Sequence, residues 1–113
     1  MRESGILMPV SSLPGPYGIG CFGKAAFQFV DFLSAAGQTI WQLLPLSPTG
    51  YGDSPYQSFS AFAGNPYFID FRVLHEQGYL TADEIPAEVP VGPVDYGTLY
   101  VSRFAVLRKA YAA

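Results

Sequence analysis

The feature that most constrains this chain is a strand, helix, strand pattern at its start. Residues Gly5 to Val10 form a short apolar run, broken at Pro9 and followed by Ser-Ser-Leu-Pro-Gly-Pro. That pattern predicts a buried strand feeding a loop, because proline bars a continuing helix. From Lys24 to Ala36 the apolar residues Ala25, Phe29, Phe32 and Leu33 recur at helical spacing, and Gly37 stands where a helix-ending glycine belongs. Thr39 to Leu46, TIWQLLPL, is a nearly continuous apolar run of strand length, as expected of a strand covered on both faces. Together these make a βαβ unit with parallel strands, so the fold class is α/β.

One such unit leaves open sheet edges and an uncovered face, and two parallel strands do not form an independently stable sheet. The rest of the chain supplies no further strand pattern and no internal repeat. Residues 47–67 are rich in Gly, Pro, Ser and Phe without clean periodicity, and read as a long ordered loop after the second strand. Phe68 to Phe71 reads as a short extended segment, and Val73 to Gly78 as a helical turn. Thr81 to Ile85 reads as a second turn, with Thr81 capping and Glu84 three residues on. Pro86 to Pro93 is a Pro and Val linker. Tyr96 to Ala113 places Leu99, Phe104, Leu107 and Tyr111 at roughly helical intervals, with no stop signal. The expectation is therefore one unit over 1–113 with no internal boundary, reading as cut rather than finished.

Composition narrows the function. Only 13% of the 113 residues are charged and the net charge is −3, with no basic run, so a nucleic-acid partner is excluded. Cys21 is the single cysteine, so no internal disulfide can form. No Cys or His cluster has metal-ligand spacing. The N-terminal apolar run is too short for a signal peptide or a membrane span; no membrane partner is expected, and the location reads as cytoplasmic. The glycines at 15, 18, 20 and 23 lack the spacing and the Lys-Ser/Thr pair of a phosphate loop, since Lys24 begins a helix without a following hydroxyl, and no cofactor is expected. Eight Tyr and nine Phe make the chain unusually aromatic, which suits either protein interfaces or sugar rings.

Two long blocks, RESGILMPVSSLPGPYGIG at 2–20 and PTGYGDSPYQSFSAFAGNPYFID at 48–70, resemble the amylomaltase family, glycoside hydrolase family 77. WQLLPL and VDYGTLY fit the same family in order. Members are several times longer, so the resemblance covers only their N-terminal part. It implies the start of a (β/α)8 barrel, with its first strand near Ile6 to Pro9 and its second near Ile40 to Leu46. Active sites of such barrels lie at the carboxyl ends of the strands. It further implies 4-alpha-glucanotransferase chemistry: transfer of an alpha-1,4-glucan segment to a sugar 4-hydroxyl by retaining double displacement. Such chemistry needs two carboxyl groups about 5 Å apart. In the family these come from later strands, in the C-terminal remainder of the barrel, so no residue here is expected to be catalytic.

Binding residues do carry over. By resemblance, Tyr56 and Ser54 line the donor side of the cleft, and Tyr51 and Tyr100 form a tyrosine pair that holds a glucan at a second site. The implied partners are maltooligosaccharides and amylose. Asp53 either accepts sugar hydroxyl bonds or simply sets the turn before Ser54-Pro55. Other singular residues read as structural: Trp41 as core, His75 as solvated with no nucleophile or metal partner in sequence, Cys21 as without a role. The rival from another class is a small carbohydrate-binding or interaction module that works through exposed tyrosines.

Overall fold

The computed structural model describes residues 2–49, 54, 56, 60, 62–89 and 92–113. The elements run β1 (Gly5–Leu7), α1 (Lys24–Ala35), β2 (Ile40–Gln42), α2 (Phe71–Glu76) and α3 (Tyr96–Ala112), with 3-10 turns at Val10–Ser12, Pro66–Phe68 and Ala82–Glu84. β1 and β2 pair in parallel, with Gly5 opposite Ile40, Ile6 opposite Trp41 and Leu7 opposite Gln42. The connection between the two parallel strands runs through α1.

α1 stops where its sequence says it must. Gly37 takes φ 77°, a conformation that a side chain would penalise. Its N–H bonds to the Ser34 carbonyl at 3.1 Å, and the Gln38 N–H reaches back to Leu33 at 2.9 Å. Two carbonyls that the helix leaves without partners are thereby satisfied. Gly78 ends α2 by the same geometry, with φ 87° and the Tyr79 N–H on the Leu74 carbonyl at 2.9 Å.

The strands are shorter than the apolar runs that announced them. The ladder ends with the Met8 N–H on the Gln42 carbonyl at 3.1 Å; the Met8 carbonyl, which the next rung would use, accepts from the Trp41 indole instead. Nor is β2 covered on both faces, since Ile40 and Gln42 are exposed and Trp41 half-buried. Trp41 is held as a core residue would be: its indole N–H donates to the Met8 carbonyl at 2.9 Å, and its ring meets Phe29 edge-on at 5.0 Å.

The 68–71 segment is corrected too. Extended backbone is confined to Ile69 and Asp70, between a 3-10 turn and a helix. Local caps explain this. The Asn65 side chain accepts from the Tyr67 N–H at 3.0 Å, and Asp70 accepts from the Val73 N–H at 3.0 Å. Asp70 therefore starts α2 at Phe71, two residues before the expected turn. The turn at 82–84 forms as expected, with the Thr81 N–H donating to Glu84 at 3.0 Å.

The core does not lie between the sheet and α1. It lies where the segment from Val10 to Gly23 meets α2 and α3. Tyr17, Phe71, Leu80, Val106 and Ala110 form one cluster, and Ile19, Tyr67 and Leu99 another. Phe71 is 1% exposed, burial that stabilises by about 2–3 kcal/mol. On α1, by contrast, Ala26 and Leu33 are buried while Phe27, Val30 and Phe32 face outward.

Candidate functional site

The segment leaving the carboxyl end of β1 is tied down by backbone and side chain alike. The Gly20 N–H donates to the Ser11 carbonyl at 3.2 Å, and the Phe22 N–H to the Phe68 carbonyl at 2.9 Å. Between them Cys21 is buried, and its thiol donates to Asp70 Oδ2 at 3.2 Å. Burial first, then the bond to Asp70 and its charge, push the thiol pKa up to about 12. The sulfur is thus a protonated donor, not a nucleophile. Cys21, given no role from sequence, joins the first loop to the cap of α2.

Arg103 of α3 completes this arrangement. It is 1% exposed; one guanidinium nitrogen donates to the Ile69 carbonyl, and the group lies 4.1 Å from the Phe71 ring centroid. Nε and Nη1 have no hydrogen-bond partner among the described residues. Burial lowers the pKa of this group, while the nearby Cys21, Asp70 and Tyr67 act in the opposite direction. Neither Arg103 nor Asp70 was singled out from sequence; the signal available for Asp70 was an acidic residue just before a helical run.

α3 begins at Asp95, whose carboxylate accepts from the Thr98 N–H at 3.2 Å and the Thr98 hydroxyl at 2.8 Å. Those bonds hold its pKa below the usual value. The helix then carries an aromatic row at i, i+4, i+8. Tyr96 lies 6.1 Å from Tyr67, Phe104 lies 5.8 Å from Tyr67, and the Tyr100 ring meets Phe104 edge-on at 5.5 Å. Tyr100 is 67% exposed, so its outer face is open to a flat ligand.

Of the expected binding residues, Tyr56 is 72% exposed, and its backbone N–H donates to the Ser54 hydroxyl at 3.3 Å. The pair is formed by a local turn. Tyr51 and Asp53 lie outside the described residues. His75 is exposed, as expected of a solvated residue, and its Nδ1 bonds the Leu80 carbonyl at 2.8 Å. A carbonyl can only accept, so Nδ1 carries the proton. Among the described residues no group of three or more His, Cys, Asp or Glu could hold a metal ion, and no helix is long and apolar enough to cross a membrane.

The family model of glycoside hydrolase family 77, described as 4-alpha-glucanotransferase, matches residues 8–113. A 4-alpha-glucanotransferase of Thermus thermophilus is 54% identical over 97% of this chain, and one of Streptococcus pneumoniae is 56% identical over 96%. The chain spans 22% of the length of each of these relatives. Among solved structures, an amylomaltase from Streptococcus agalactiae in complex with acarbose superposes with a TM-score of 0.92 at 49% identity. That match covers 99% of this chain and 23% of the other. With the family model matched over residues 8–113 and relatives more than half identical over nearly all of it, this chain belongs to glycoside hydrolase family 77, the 4-alpha-glucanotransferases.

Proposed function

We propose that these residues are the opening part of a 4-alpha-glucanotransferase, with β1 and β2 as the first two strands of a (β/α)8 barrel. The remainder of that barrel covers the exposed faces of Ile6, Leu7 and Ile40 and the outward residues of α1. Retaining transfer proceeds by double displacement, in which a carboxylate attacks the anomeric carbon while a carboxylic acid protonates the departing oxygen. The glycosyl-enzyme is then released to an acceptor hydroxyl. Both carboxyl groups belong to later strands in this reading. The present residues bind: Tyr56 and Ser54, with Asp53, on the donor side of the cleft, and Tyr51 with Tyr100 on a second glucan surface. The substrates are alpha-1,4-glucans and the enzyme works in the cytoplasm.

The observation that carries this reading is family membership over residues 8–113 at more than half identity to 4-alpha-glucanotransferases. The test is disproportionation. The protein at its natural length, incubated with maltotriose, is expected to release glucose and build longer glucans; residues 1–113 alone are expected to do neither. Glucose release by the 113-residue chain alone would place the catalytic carboxylates within it. Absence of transfer by the full-length protein, with maltooligosaccharides still bound through the tyrosines, would favour a carbohydrate-binding module.

A further inference from the structure

A cavity of about 720 Å³ lies between the Ser11 to Gly20 loop, the segment before α3 and the first turns of α3. Its size falls within the roughly 300–1,000 Å³ of ordinary small-ligand sites. The floor is apolar, formed by Ile19, Phe71 and Leu99, each under 5% exposed. Tyr96 lines one side, and Ser11, Ser12 and Asp95 are among its polar lining residues.

Charge restricts what such a cavity can take. Arg103 backs it, but one of its nitrogens is committed to the Ile69 carbonyl and the other two are covered. An anion would find no reachable cation. Asp95 already accepts two bonds from Thr98, so it offers no bare carboxylate to a metal or ammonium ion, while retaining lone pairs for a further hydroxyl donor. The occupant that fits is neutral, rich in hydroxyls and flat on one side. A sugar ring meets all three conditions: its C–H face packs on Tyr96 and its hydroxyls reach Ser11, Ser12 and Asp95.

Tyr96, Ser11 and Ile19 also border a smaller recess beneath Leu44 to Leu46, beyond the carboxyl end of β2. The cavity therefore adjoins the side of the sheet where barrel enzymes handle their substrates. Tyr100 does not line it. We infer that this cavity is an additional saccharide site, in which Tyr96 is the platform for a glucosyl unit; the choice of an alpha-glucan rests on the function proposed above.

The experiment uses the protein at its natural length and S-linked maltotriose, whose thioglycosidic bonds resist cleavage, followed by calorimetric titration. Wild type is expected to show one binding event more than the Tyr96→Ala variant. Because Tyr96 also packs on Tyr67, Ser12→Trp serves as a second variant that fills the cavity mouth from an exposed position. It is expected to weaken that same event at least tenfold while leaving the circular dichroism spectrum unchanged. Binding of S-linked maltotriose that neither variant alters overturns the cavity assignment and leaves the glucan reading standing. Failure of wild type to bind it anywhere overturns both.

Discussion

Cys21 and Asp70, forty-nine positions apart, meet through a thiol to carboxylate bond of 3.2 Å. The bond fastens the loop leaving β1 to the residue that starts α2. Cys21→Ala leaves Asp70 Oδ2 short of a donor in a buried place, and is expected to cost about 1–3 kcal/mol. Cys21→Ser, which restores a donor, is expected to recover much of this. Chemical denaturation midpoints of the two variants make the comparison.

Burial of that thiol, together with its bond to Asp70, sets an alkaline limit. The thiol pKa is raised from an ordinary 9.0 to about 12, so the protonated form is favoured in the folded state. The contribution is fully present below pH 9.0 and is lost as pH rises toward about 12. Other groups titrate there as well, so the measurement is the difference in alkaline stability between wild type and Cys21→Ser, which is expected to narrow over that window.

Gly23 approaches Asp70 from the other side. A Cβ on Gly23 would overlap the Asp70 carboxylate, and that carboxylate cannot move without releasing both Cys21 and Val73. Gly23→Ala is expected to destabilise by about 1–3 kcal/mol, read as a fall in melting temperature.

On the acid side, Asp95 and Glu84 are both held below their ordinary pKa by bonds they accept, Asp95 from Thr98 and Glu84 from Thr81. A depressed carboxylate stabilises above its unfolded pKa, and the benefit disappears as pH falls through the folded value. Loosening of the start of α3 is therefore expected only below the ordinary carboxylate range. Carbon-detected titration of Asp95 checks it; a midpoint at or above 3.8 contradicts the capping geometry.

Tyr100→Ala in the full-length protein is expected to weaken binding of long glucans or to alter product size. Turnover of short donors is expected to stay within about twofold, since the ring packs on Phe104 from an exposed position and stands apart from the proposed chemistry. An unchanged product distribution removes the second glucan surface from Tyr100.

What could be read in advance follows the range of the forces involved. α1 was legible to within a residue because its spacing and Gly37 are local signals. The Thr81 and Glu84 turn was legible for the same reason. Strand lengths were not, because a ladder ends where its groups are taken up elsewhere, and the Met8 carbonyl is used by the Trp41 indole, thirty-three positions away. The roles of Asp70 and Arg103 were invisible because each depends on residues more than thirty positions away. The tyrosines came from the family pattern, which gives the positions but not their surroundings. Tyr96, the residue that the cavity makes most interesting, shares its motif with Tyr100 and was passed over.

The two short strands carry one more consequence. Each has a partner on one side, and the described residues place no strand on the other. Such free rows of amide and carbonyl groups, flanked by Ile6, Leu7 and Ile40, are templates for any extended peptide nearby. Separated from its neighbours at high concentration, this segment is expected to self-associate edge to edge, so its solubility should improve when a complementary later stretch of the same polypeptide is supplied in trans.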